Sequence, residues 1–206
     1  MYVIAITGSM GSGKSSALRF FRSLGYPAVS ADEIVHTLYR DDKPLQLQIE
    51  ALAGQPLITQ EGIDRSKLAP LFFGNLELKT KIESIVHARV FEEVSKWRKL
   101  HQNHLLGFVE VPLLFESESQ VHYDETLMIA VDDNIQKKRL LKFRKMLPEE
   151  MEKRLACQMP QARKIELADT VIYNNSSKNQ LKQALNNYLQ EVKRGLRENE
   201  TLHRTK

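Results

Sequence analysis

The stretch Gly8-Ser-Met-Gly-Ser-Gly-Lys-Ser15 constrains this chain more than any other. It fits G-x-x-x-x-G-K-[ST] at every fixed position, between the apolar run Tyr2–Ile6 and a helical pattern, which is the context the motif requires. Gly8, Gly11 and Gly13 permit a tight turn that gathers several backbone N–H groups toward one point, a nest for phosphate oxygens. A helix beginning near Lys14 adds its first N–H groups and the positive end of its dipole. The spacing predicts that the backbone of 11–16, including Ser12 and Ser16, holds phosphates and that Lys14 reaches the β- and γ-phosphates. The Ser15 hydroxyl is expected to ligate Mg²⁺. A nucleoside triphosphate is the expected ligand; a glycine-rich turn without one is the alternative.

The 206 residues suffice for one sizeable α/β core with inserted subdomains. A hydrophobic content of 42% and a charged content of 27% are those of an ordinary globular protein. No apolar run approaches the roughly 18 residues of a membrane span, and the Gly-rich loop interrupts the N-terminal apolar segment before it could serve as a signal peptide. A single cysteine, Cys157, excludes an internal disulfide and fits a cytoplasmic location. The net charge of +4 suits anionic small molecules and weak nucleic-acid contact alike, and so decides little.

Along the chain, Tyr2–Thr7 reads as a buried parallel strand and Ser16–Leu24 as a helix stopped by Gly25. Pro27–Ser30 is a short strand, with Asp32 at the start of a helix over Glu33–Tyr39. Ligands bind at the carboxyl ends of parallel strands, which places Asp32 on the rim of the phosphate-binding loop. Two roles compete for it: a helix N-cap, or a carboxylate that takes the proton of an attacking hydroxyl. Residues 41–105 leave the strand–helix alternation for a helical lobe. There Gly62–Arg65 reads as a turn into a helix over Ser66–Phe73, and Asn75 as the N-cap of a long helix to Leu100. His87, Arg89, His101 and His104 match no metal-ligand spacing.

Leu105–Val111 returns to a buried strand, ending in Glu110-Val-Pro-Leu-Leu-Phe-Glu116. Glu110 stands where a second acid of such an enzyme holds the metal through water, or is a capping carboxylate. A strand over Glu125–Val131 precedes Gln136–Lys145, which has six basic residues in ten and no acid. A solvated or nucleic-acid-binding helix is the plain account of that segment. A lid is the other, with Arg139 or Arg144 meeting charge on the transferring phosphoryl. Five positions apart, the two arginines differ by about 140° around an ideal helix and would not share one role. Helices from Pro148 and Pro160, a strand over Thr170–Tyr173 and an amphipathic terminal helix complete the chain, with Lys193–Lys206 expected to fray.

Together these residues resemble the dephospho-CoA kinase family, from Tyr2 to about Leu189. The similarity is carried by Thr7–Ser15, with Ser9 and Met10 for Gly and Ile, and by Ser30-Ala31-Asp32, where the family has D-A-D. It continues through Gly62, Arg65 and Leu68, through His87-Ala88 in place of His-Pro, and through Glu110–Glu116. The lid signature Gln136–Arg139 with Arg144, then Gln158-Met-Pro160 with Lys164, and Ile172-Tyr-Asn174 in place of I-D-N follow in order. The Pro-Leu-Leu-Phe-Glu and Gln-Met-Pro elements are the most specific.

The resemblance implies a three-layer α/β/α core with a parallel five-stranded sheet, about 1–30, 105–132 and 160–192. It implies a helical acceptor lobe, about 31–104, and a lid, about 133–159, within one domain over 1–206. It implies transfer of the γ-phosphoryl of ATP to the ribose 3′-hydroxyl of dephospho-CoA, with Mg²⁺. Asp32 is then the base, Lys14 and a lid arginine stabilise charge, and Asn174 lies near the nucleotide. Arg65, His87, Pro112, Leu113 and Glu116 would meet the acceptor. The expected partners are small molecules only, with no nucleic acid or membrane, the chain being a monomer or weak homo-oligomer. The rivals are another small metabolite or nucleotide kinase and a nucleic-acid-binding ATPase. A guanine-reading switch would need an Asn-Lys-x-Asp turn, which does not occur.

Overall fold

Tyr2–Thr7 forms the first strand (β1) because its apolar run can be buried on both faces, and Val3 through Thr7 are buried. The computed structural model describes residues 1–143 and 145–204, so Arg144 lies outside the described residues. In chain order follow α1 (Lys14–Ser23), β2 (Ala28–Ser30), α2 (Ala31–Asp41), α3 (Lys43–Ala53), β3 (Ile58–Thr59), β4 (Gly62–Ile63) and α4 (Arg65–Gly74). Then come α5 (Leu76–Leu100), β5 (Leu106–Glu110), β6 (Glu125–Ala130), α6 (Asp133–Phe143), α7 (Pro148–Ala156), α8 (Gln161–Leu167), β7 (Thr170–Tyr173) and α9 (Lys178–Arg204).

The main sheet has the order β2-β5-β1-β6-β7 and is parallel, with Ile4 opposite Phe108 and Glu125, and Met128 opposite Val171. On one face Ile4, Ile6, Phe108, Leu127 and Ile129 pack against Ala17, Leu18 and Phe21 of α1 and Leu181, Leu185 and Leu189 of α9. Phe21 stacks on Phe108 with ring centroids 3.7 Å apart. Helices crossing between parallel strands give the expected α/β three-layer architecture.

The described chain divides into two compact units, one of Met1 and Val29–Leu105, the other of Tyr2–Ala28 and everything from Leu106 onward. In the first unit, Asn75 Oδ1 caps α5 by accepting from Leu78 N–H at 2.9 Å, as its sequence predicts. Ile82, Val86, Val90 and Val94 form the buried stripe of that helix. Gln46 donates to the carbonyls of Tyr39 and Arg40, both at 2.9 Å, which satisfies the end of α2. No helix of the described residues is long and apolar enough to cross a membrane.

Three expectations change. The N-cap of α2 is Ser30, whose N–H donates to Glu33 Oε2 in a capping box, so the cap does not need Asp32. The Gly62–Arg65 turn is one arm of an antiparallel hairpin, β3–β4; a Cβ on Gly62 (φ 103°) would run into the Tyr39 carbonyl oxygen. The terminal helix does not stop at Lys193, because Val192 and Leu196 still pack against the core.

Candidate active site

The loop between β1 and α1 is held in shape by backbone that only glycine tolerates. Gly8 (φ 148°) and Gly13 (φ 111°) have positive φ, and side chains there would strike the Ile129 carbonyl oxygen and Asn174 Nδ2. Asn174, at the carboxyl end of β7, donates through Nδ2 to the Ser12 carbonyl at 2.7 Å and through its backbone N–H to Ala130 O at 2.8 Å. Neighbouring strand ends thus support the loop from beneath. Ser12 is fully buried, and its Oγ has no partner among the described residues.

Lys14, the first residue of α1, is buried and donates to the carbonyls of Gly8 at 2.8 Å and Ser9 at 3.1 Å. Ser15 Oγ donates to Glu110 Oε1 at 2.9 Å, tying the start of α1 to the carboxyl end of β5. Gly11, Gly13, Lys14, Ser15, Ser16, Arg139 and Asn174 line one cleft of about 540 Å³. Burial lowers the pKa of Arg139 from its ordinary value, although a guanidinium stays cationic. Arg19, Ser176 and Lys178 also line that cleft. Arg19 and Lys178 carried no motif, and only the fold joins the start of α9 to the loop. With four basic side chains on its wall, the cleft suits a polyanion.

Beyond Glu110, the segment 111–116 is pinned from within. Val111 N–H donates to Ile6 O at 2.9 Å, and Glu116 Oε1 accepts from Met159 N–H at 2.9 Å. Glu116 also pairs at 2.6 Å with Lys164, which is fully buried and reaches the Pro112 carbonyl at 3.5 Å. Leu113 is 43% exposed at the bend. Lys164 is a further residue whose role the sequence concealed.

Asp32, Arg65 and His87 belong to the other unit, on three different elements. Asp32 is exposed in the first turn of α2. The Arg65 guanidinium lies 5.7 Å from the centre of the Tyr39 ring. Burial raises the Tyr39 pKa, and the Arg65 charge opposes that rise. His87 is exposed on α5 and lines a shallow cavity of about 420 Å³ with Thr80, Glu83 and Phe91. Another cavity in this unit, about 480 Å³, is walled by Ile34, Leu38 and Trp97 with Glu33, Asp41 and Glu93, and no motif marked it.

A phosphate-binding loop with a neighbouring carboxylate is common to many nucleotide enzymes, so the whole chain must decide between them. The family model described as dephospho-CoA kinase matches residues 2–180. The chain is a member of the dephospho-CoA kinase family. It is 38% identical over 184 residues to the dephospho-CoA kinase of Streptococcus pneumoniae, covering 87% of this chain and 90% of that one. It is 34% identical over 194 residues to that of Protochlamydia amoebophila, covering 92% and 96%. The solved dephospho-CoA kinase from Campylobacter jejuni superposes with a TM-score of 0.71 at 26% identity, over 94% of this chain and 98% of its own.

Membership in the dephospho-CoA kinase family makes this chain an enzyme and a kinase. Its departures from the motifs have local consequences. Ser30 supplies a helix cap where the family pattern has an acid. Ala88 lets α5 run unbroken from Leu76 to Leu100, where a proline would remove a hydrogen bond from the helix interior. Tyr173, at the end of β7, is 58% exposed.

Proposed function

We propose the division of labour by which this member of the dephospho-CoA kinase family moves the γ-phosphoryl of ATP to the ribose 3′-hydroxyl of dephospho-CoA, releasing coenzyme A and ADP. The observation that carries it is the buried Lys14 inside the glycine loop, beside a Ser15–Glu110 hydrogen bond of 2.9 Å. The loop amides, with Gly8, Gly11, Ser12, Gly13 and Ser16 shaping them, hold the phosphates, and Asn174 keeps the loop in register. Lys14 and Arg139 neutralise charge that builds on the phosphoryl oxygens. Arg144 is a second candidate from the sequence alone.

The donor set of a serine hydroxyl and a carboxylate is one of hard oxygens, which fits Mg²⁺. Ser15 would hold the ion directly and Glu110 through water. When bound, Mg²⁺ offsets the negative charge of the β- and γ-phosphates.

To Asp32 we assign the proton of the acceptor hydroxyl, because the capping box leaves this exposed carboxylate free of the N-cap duty. Arg65 and His87 are assigned to the acceptor, as are Pro112 and Leu113 at the bend above Glu116, while Glu116 acts by fixing that bend through Lys164. The lobe of 31–104 is read as the acceptor unit and 133–159 as a lid, in a cytoplasmic monomer or weak homo-oligomer that needs no nucleic acid.

The magnesium dependence of turnover tests the roles. Glu110→Gln should raise the Mg²⁺ needed for half-maximal rate several-fold while retaining part of the maximal rate. An unchanged magnesium curve would remove Glu110 from the metal assignment.

A further inference from the structure

Two glutamines grip one residue of the phosphate loop from opposite sides. Gln136 Nε2, on α6, donates to the Met10 carbonyl at 2.7 Å, and Gln158 Oε1, just after α7, accepts from Met10 N–H at 3.1 Å. The amide orientations follow from chemistry, because a backbone carbonyl can only accept and a backbone N–H can only donate. Gln136 is buried, and its helix rests on the loop: a Cβ on Gly11 would meet Leu140 Cδ2 at 3.0 Å and Gln136 Cγ at 3.8 Å.

Each bond fixes a peptide plane that ends in the site. The chain has no cis peptide bonds among the described residues. A trans, planar peptide points its carbonyl and its N–H in opposite directions, so holding one aims the other. Gln136 holds the carbonyl of the 10–11 peptide and thereby aims the N–H of Gly11, which lines the cleft. Gln158 holds the N–H of the 9–10 peptide and thereby aims the Ser9 carbonyl, which accepts from Lys14 Nζ at 3.1 Å and from Ser12 N–H at 3.1 Å.

We propose that Gln136 and Gln158 are positioning residues for phosphoryl transfer, a paired clamp on Met10 that sets the Gly11 amide and the Lys14 ammonium for the triphosphate. The segment carrying Arg139, one turn from Gln136 on α6, is registered to the loop by the same clamp. The proposal rests on the phosphoryl-transfer reading given above.

The clamp is asymmetric, so one substitution made at both positions must have unequal results. Gln158→Glu keeps an acceptor for Met10 N–H, whereas Gln136→Glu sets a carboxylate against the Met10 carbonyl. With MgATP and dephospho-CoA, Gln136→Glu should raise the KM for ATP by about tenfold and leave the KM for dephospho-CoA unchanged. Gln158→Glu should stay within about twofold of the parent, while Gln158→Met, which has no comparable acceptor, should raise the KM for ATP several-fold. Equal effects of the two Glu variants would overturn the proposal. So would a fall in kcat alone, matching a lost folded fraction. If Gln136→Glu melts too early to assay, the Gln158 pair decides, and an unchanged KM for ATP in Gln158→Met refutes the clamp.

Titration with a non-hydrolysable ATP analogue, without acceptor, separates this proposal from the one it rests on. If the parent protein fails to phosphorylate dephospho-CoA but the variants bind the analogue in the stated order, the acceptor reading fails and the clamp stands. If turnover is normal and the order is absent, the clamp fails alone.

Discussion

Lys14 is folded onto the carbonyls of Gly8 and Ser9, so its charge is buried within the same loop that presents amides to the cleft. Lys14→Ala should therefore remove both a charge and a loop contact, and kcat/KM should fall by about 10³-fold or more in a coupled ADP assay. Asp32 makes the opposite kind of test. Because Ser30 and Glu33 carry the cap, Asp32→Asn should leave stability within about 0.5 kcal/mol and ATP binding intact, yet lose most turnover. Near-normal turnover in that variant would move the proton elsewhere. Residues whose backbone needs glycine, or whose chemistry is local to the loop, were legible in the sequence. Gln158 and Lys164 were not assigned roles, because Gln158 lies 148 positions from Met10 and Lys164 lies 52 from Pro112. Only the folded chain reveals that Lys164 is buried. Lys164→Met, leaving Glu116 without its ion partner, should cost about 3–5 kcal/mol in a denaturant titration.

Among elements, the ones with long periodic patterns were legible and the short ones were not. Asn75, read as an N-cap, defined α5 to the residue at its start. Asn75→Ala should destabilise the unit by about 1 kcal/mol, read as a lower denaturation midpoint. The β3–β4 hairpin escaped notice because strands of two residues show no alternation. It is tied to α3 by Glu50 Oε2, which accepts from Leu57 N–H at 2.8 Å and Ile58 N–H at 2.9 Å. Those backbone donors, Leu57 first, hold the Glu50 carboxyl below the usual carboxylate range. A depressed folded value means that the contribution is complete above the unfolded pKa of about 4.3 and fades as pH falls through the lower folded value. Hydrogen exchange at Leu57 and Ile58 should lose protection on acidification, and Glu50→Gln should flatten that dependence. The end of α9 is not legible in the sequence because its polar composition hides the packing of Val192 and Leu196.

For the whole molecule, five strands could be read along the chain, but their order is a property of the fold and not of any one segment. Two of those strands meet a half-buried polar cluster at the edge away from the loop, where Tyr188 donates to Glu125 Oε1 at 2.7 Å and Tyr2 to Glu125 Oε2 at 3.4 Å. Burial first, and then the Glu125 charge, push Tyr2 up to about 12 and Tyr188 upward as well. Raised folded values keep this stabilisation whole below the unfolded pKa of about 10 and remove it as pH climbs through about 12 for Tyr2. Thermal melts should thus hold steady to about pH 9 and drop above 10, less steeply in Tyr188→Phe. The central claim concerns the acceptor. ADP release from MgATP should be measured with dephospho-CoA and, separately, with AMP, CMP, pantothenate and shikimate, and each product identified by mass. Strong stimulation by dephospho-CoA alone, with coenzyme A as the product, is the result predicted. Turnover with another acceptor and none with dephospho-CoA would contradict it.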